Sequence, residues 1–166
     1  KPDDELSVAQ RQGRLHRNFQ GYSTHAESDL LAFGISAISQ VGPTYSQNVK
    51  TLDEYYDRLD SGMLPAMRGI EMTADDLLRR SIIQALMCHF EVPIESIEVA
   101  HLIDFHKYFA QELQDLVSLR DAGLVHIDNQ YLSVTPIGRY FIRNICMVFD
   151  RYLREGRERA RYSKAV

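Results

Sequence analysis

A nearly uncharged run from Asp29 to Ser39 constrains this chain more than any other stretch. Phe33, Ile35 and Ala37 alternate with Gly34, Ser36 and Ile38, so neither side of an extended backbone here is polar enough to face water. The run predicts a strand buried on both faces, as parallel or barrel strands are. Gly34 and Ser36 would let another group approach the backbone closely. Just upstream, Leu15 to Tyr22 gathers two cations, an amide-rich pair, two aromatics and a glycine. Together the two runs have the composition of a ligand wall. On residue chemistry alone, the second is also a core strand whose small residues permit tight packing, and the first a surface loop.

With 166 residues, the chain suffices for one domain or one and a half. It has no continuous apolar stretch of membrane-spanning length and no N-terminal signal pattern, which sets the expectation of a soluble, cytoplasmic protein. A formal charge of -4 argues against broad nucleic-acid affinity. Two cysteines, Cys88 and Cys146, stand far apart in predicted helices. They signal neither a disulfide framework nor a metal motif, and reduced, buried thiols are expected. Lys1 is not a methionine, and Pro2-Asp3-Asp4-Glu5 reads as the first turn of a helix in a larger protein, so a fragment is expected.

Along the chain, Asp3 to Gln12 predicts a short helix stopped by Gly13. His25 lies in a polar loop and receives no role. Val41-Gly42-Pro43-Thr44 predicts a turn, and Tyr45 to Lys50 an extended polar connector. Thr51 and Glu54 have capping-box spacing ahead of a short helix with Leu52, Tyr55, Tyr56 and Leu59 on its apolar side, ended by Ser61-Gly62. Pro65 to Gly69 reads as a linker, and a domain boundary is expected between about Asp60 and Thr73.

Beyond it, Thr73 and Asp76 cap a helix whose core stripe is Leu78, Ile82, Leu86 and Phe90. Pro93 interrupts, Ile94 to Ala100 is a short helix, and Leu102, Phe105, Phe109, Leu113 and Leu116 mark a longer one ended by Gly123. Val125 and Leu132 lie in two short runs flanking Asp128-Asn129-Gln130, which predicts a hairpin. Thr135 then caps a helix with Pro136 at its first position and Ile137, Phe141, Ile145, Val148 and Tyr152 as its stripe. This order is winged-helix-like. The helix predicted over 104–122 nevertheless carries Asp104, Glu112, Asp115 and Asp121 against Lys107 and Arg120, too acidic a face for reading DNA. The basic end, Arg151, Arg154, Arg157, Arg159, Arg161 and Lys164, with Tyr162, suits a helix C-terminus or recognition of carboxylates.

Three stretches carry a resemblance: L-H-R-N-F-Q-G-Y at Leu15, D-L-L-A-F-G-I-S-A-I-S at Asp29 and R-N-I-C-M-V-F-D-R-Y-L-R at Arg143. The chain resembles the C-terminal part of the oxygen-independent coproporphyrinogen III oxidases, or coproporphyrinogen dehydrogenases, from about Pro2 to its end. The fold this implies is α+β and predominantly helical. Residues 1–65 would form the terminal part of a partial (β/α) barrel, and residues 66–166 a small winged-helix-like helical domain with one β-hairpin.

The resemblance further implies a radical S-adenosylmethionine enzyme of heme and porphyrin biosynthesis. A [4Fe-4S] cluster, fed by an electron donor, reduces S-adenosylmethionine, and two propionates of coproporphyrinogen III become vinyl groups, giving protoporphyrinogen IX. The cluster motif C-x3-C-x2-C is absent here, so no metal ligand is assigned and the chain alone is expected to be inactive. By resemblance, Phe19, Gln20 and Ile38 contact S-adenosylmethionine. Arg17 and Arg143 are candidates for the substrate carboxylates, and His16 for polar lining; no residue is assigned as catalytic. Neither nucleic acid nor a membrane span is expected. The competing class is a stand-alone, winged-helix-like binding module without catalysis.

Overall fold

A computed structural model describes residues 1–26 and 28–162, with side chains described as far as Gly156. The side chains of Arg157, Arg159, Arg161 and Tyr162, and all of Lys164, thus lie outside the described residues. The chain is α+β, about half helical, with small antiparallel sheets.

Asp4 caps α1 (Glu5–Arg11) by accepting from the Leu6 and Ser7 amides, and the chain leaves the helix through Gly13 at φ +68°. Strands β1 (His16–Asn18) and β2 (Gly21–Ser23) form a short hairpin. Then β3 (Ile38–Val41), β4 (Thr44–Asn48) and β5 (Ala66–Glu71) build a second sheet in that order, with α2 (Leu52–Asp60) between β4 and β5.

Several expectations fail in this region. The apolar run is not a strand over its length: β3 begins only at Ile38, and Phe33 is 86% exposed. Gly34 and Ser36 take positive φ, which breaks an extended course. The Asn48 amide instead donates to the Ala32 and Gly34 carbonyls at 3.2 and 2.9 Å, satisfying backbone that a neighbouring strand would otherwise pair. The expected polar connector after Thr44 is the central strand β4, and the expected linker at Pro65 to Gly69 runs into β5. Gly69 is required there because a Cβ would come 2.9 Å from the Tyr45 carbonyl across the ladder. On α2, Thr51 has the extended backbone of a cap but its side chain makes no cap bond. Leu52, Tyr56 and Leu59 are exposed, and an open apolar cleft of about 350 Å³ lined by Tyr55 and Leu59 lies between the helix and the sheet.

The core gathers around α3 (Ala74–His89). Thr73 and Asp76 form the capping box, Leu78, Ile82 and Leu86 are buried, and Phe90 closes the helix at φ +63°. Next come β6 (Glu91–Pro93), α4 (Ile94–His101), α5 (Phe105–Tyr108), α6 (Ala110–Asp121), β7 (Val125–Ile127) and β8 (Tyr131–Val134). The hairpin β7–β8 is as predicted, and β6 pairs with the other edge of β8. Phe105, Phe109, Leu116, Leu132, Ile145 and Phe149 join α3 in one apolar cluster. Burying each such side chain is worth roughly 1.5–3 kcal/mol.

The single long helix predicted from Leu102 is two, and Leu102 is 91% exposed in the left-handed cap of α4. The helix bends at Phe109, whose ring packs 5.0 Å from Phe105 and 5.6 Å from Phe149. After Thr135, whose hydroxyl accepts from the Gly138 amide, the predicted helix divides too. A 3-10 turn at Gly138–Phe141 leads to α7 (Ile142–Cys146), another 3-10 turn at Met147–Phe149, and α8 (Arg151–Tyr162). Asp150 restarts the helix by accepting from the Leu153 amide, so Ile145 and Phe149 reach the core while Ile137, Phe141 and Tyr152 are exposed. Among the described residues no helix is long and apolar enough to cross a membrane.

Candidate functional site

The hairpin β1–β2 stands against α3 through one amide. Gln84 Oε1 accepts from the Arg17 backbone N–H at 3.2 Å, while its Nε2 donates to the Arg17 carbonyl. The side chain thus pairs with both polar groups of Arg17, as a neighbouring strand would. At the tip, Asn18 Oδ1 accepts from the Gln20 amide at 2.9 Å and Gly21 takes φ +133°, which turns the chain and presents Phe19 and Gln20 outward.

Phe19, 55% exposed, meets the Tyr45 ring edge-on at 5.3 Å and 88°. Arg80 lies over Tyr45 with its guanidinium carbon 5.5 Å from the ring centroid. Burial raises the Tyr45 phenol above its ordinary pKa, and the charge of Arg80 offsets part of this. Tyr45 is therefore neutral at pH 7 and divides two clefts. One, of about 270 Å³, is lined by Phe19, Ile38, Tyr45, Gln47, Arg68 and Ile70, among others. The other, of about 310 Å³, is lined by Arg17, Asn18, Gln40, Gln84 and Met87, with Phe19 and Tyr45 shared.

The structure therefore brings Phe19 and Ile38 together in one cleft, places Arg17 in the adjoining one, and leaves Gln20 exposed beside Phe19 at the turn. Half-buried His16 pairs with Ser23 in the hairpin. Arg143 stands exposed on α7 and lines neither cleft. Sequence reasoning missed Tyr45, Gln47, Arg68 and Gln84. For the first two a signal existed, since Tyr45 and Gln47 are two apart in an extended run and share a face.

Cys88 and Cys146 are both buried free thiols. Burial pushes Cys88 up to about 11 and Cys146 up to about 12. A metal-bound thiol must be deprotonated, and no group of three or more His, Cys, Asp or Glu among the described residues could hold a metal ion. These residues do not fit an iron–sulfur cluster.

Residues 72–141 match the family described as HemN C-terminal domain. Across 99% of its length the chain is 47% identical to the oxygen-independent coproporphyrinogen III oxidase of Pseudomonas aeruginosa. The chain is thus similar to the C-terminal part of the oxygen-independent coproporphyrinogen III oxidases. The Escherichia coli oxidase is 46% identical over the full chain. The solved structure of coproporphyrinogen III oxidase (HemN) from Escherichia coli, a radical SAM enzyme, matches with a TM-score of 0.88 at 49% identity. That match covers 92% of this chain and 35% of the other. The chain spans 36% of the length of these two curated family members.

Proposed function

We propose that this chain supplies the C-terminal part of a cytoplasmic, oxygen-independent coproporphyrinogen III oxidase, which converts two propionates of coproporphyrinogen III to vinyl groups. The observation that carries this reading is the 47% identity over nearly the whole chain, accompanied by a cleft that unites Phe19 and Ile38. In this reading, residues 1–65 belong to the end of a partial barrel and residues 66–166 to a winged-helix-like domain. The family match starting at Met72 supports a change of character near there, and because β5 (Ala66–Glu71) pairs with β4, that change falls after β5 rather than at residue 65. The succession α3, β6, α4, α5–α6 and β7–β8 supports the winged-helix likeness.

The cleft fits S-adenosylmethionine in its lining: the exposed Phe19 ring, the aliphatic side chains of Ile38 and Ile70, and the polar groups of Ser46, Gln47 and Arg68. When bound, that cofactor supplies one-electron chemistry, which the protein need only position. Phe19 offers the packing face, Ile38 apolar contact, and Gln20 an amide able to donate and accept. Arg17 and Arg143 offer guanidinium forks for substrate propionates. No role in holding the [4Fe-4S] cluster is assigned to the described residues.

The test is anaerobic turnover by a full-length protein carrying these 166 residues. Coproporphyrinogen III with S-adenosylmethionine and a reductant should yield the divinyl product, and Gln20→Ala should weaken cofactor binding with the fold intact. Absence of turnover in a cluster-loaded protein would favour the non-catalytic binding module.

A further inference from the structure

Arg68 on β5 faces Gln47 on β4 across the ladder. Its Nε and Nη2 both donate to Gln47 Oε1, at 2.9 and 2.6 Å. The far end of that amide is fixed too, since Gln47 Nε2 donates to the Ser36 carbonyl at 3.1 Å. Turned over, the amide would press its NH2 against the guanidinium and its oxygen against a carbonyl. Only one orientation therefore satisfies both ends.

The partner of this fork is neutral. Arg58, Arg79 and Arg151 instead meet Glu54, Glu112 and Asp75, while Arg14 makes a similar neutral fork to Gln12 outside any of the clefts described. Among the described residues no carboxylate forms an ion pair with Arg68, which lines the same cleft as Phe19 and Ile38. Two Nη atoms still have N–H groups available outside the Gln47 contact, and such a planar fork matches a carboxylate.

We propose that Arg68, oriented by Gln47, is the carboxylate receptor of the Phe19–Ile38 cleft. The ligand it takes has an apolar or aromatic body for Phe19 and Ile38 and a carboxylate for Arg68. Resting on the function proposed above, two sources meet that description: the amino-acid end of S-adenosylmethionine and a propionate of the substrate. Gln47 is a positioning residue, since it acts through Arg68.

Equilibrium binding to the full-length protein distinguishes them, with S-adenosylmethionine, its decarboxylated analogue and coproporphyrin III as titrants. Arg68→Ala should weaken at least one carboxylate-bearing titrant about tenfold, as expected for a lost charge-assisted pair. Decarboxylated S-adenosylmethionine should bind Arg68→Ala and wild type alike. The titrant that loses affinity names the source. Arg68→Lys should recover part of the loss. Gln47→Glu should reproduce it, because the new carboxylate neutralises Arg68 in place. The inference is overturned if wild type binds these ligands and neither carboxylate-bearing one changes more than twofold in Arg68→Ala. It is equally overturned if Gln47→Glu binds like wild type. A wild-type protein that binds none of the three titrants would overturn the proposed function, and this inference with it.

Discussion

Arg79 on α3 and Glu112 on α6 join through Nη1 and Oε1 at 2.8 Å, with Glu112 only 2% exposed. Arg154 of α8 approaches the same oxygen at 3.0 Å, and Arg79 also holds Asp75 at 2.9 Å. One buried carboxylate therefore ties three helices. In so enclosed a place the cost of desolvation is large, and the pair is worth most when neither partner is missing.

Removing one partner should be worse than removing both. Arg79→Met is expected to cost about 2 kcal/mol in urea unfolding, since it leaves buried Glu112 with Arg154 as its one remaining guanidinium. Adding Glu112→Leu should restore part of that loss. A double variant less stable than the single one would contradict the account.

Acid should loosen the same end of α3. Burial by itself would raise the Asp76 pKa, but hydrogen bonds from Thr73 and Tyr152 and the charge of Arg151 hold it below the ordinary 3.8. A carboxyl depressed on folding stabilises above its unfolded pKa, and that stability is lost as pH falls through the folded value. Urea midpoints should therefore drop below about pH 4. Asp76→Asn, less stable at neutral pH, should show a shallower acid slope; an unchanged slope would remove Asp76 from the explanation.

Neither thiol should react in the folded chain. With burial raising Cys88 to about 11 and Cys146 to about 12, alkylation at pH 8 should be negligible until denaturant is added, when both should label. Rapid labelling of either site in native protein would show that burial does not protect it.

Gly138→Ala should be among the most damaging single substitutions. A Cβ at Gly138 would lie 1.9 Å from the Leu124 carbonyl oxygen, and neither backbone can yield cheaply. A loss of more than about 3 kcal/mol is expected, read as a fall in thermal midpoint and soluble yield. A near-wild-type midpoint would mean that the two segments separate easily.

Legibility followed local determination. Thr73 with Asp76, and the hairpin around Asp128-Asn129-Gln130, are read directly because short-range hydrogen bonds decide them. The run at Phe33 misleads because the Asn48 side chain, distant in sequence, supplies its backbone partners. Polar β4 looks like a connector because neighbours on both edges, not its own hydrophobicity, make it a strand. In the sequence Glu112 counts as one more acid on the face of that helix. Yet Phe105, Phe109, Glu112 and Leu116 fall at intervals of four, three and four, which places it within the buried stripe. In the candidate site, Phe19, Ile38 and Arg17 were legible from resemblance. Arg68 was hidden in an apparent linker, since its role depends on cross-strand register.

The sheet ordered β3–β4–β5 ends at β5, and no further strand pairs with it among the described residues. An uncovered strand edge is a template for a second chain, and Met67 and Ile70 would make such stacking adhesive. Arg68 and Glu71 interrupt it with charge, so like chains laid in register would set guanidinium against guanidinium. Neutralising Arg68 would thus affect colloidal behaviour as well as recognition: concentrated Arg68→Ala protein should scatter light sooner than Arg68→Lys.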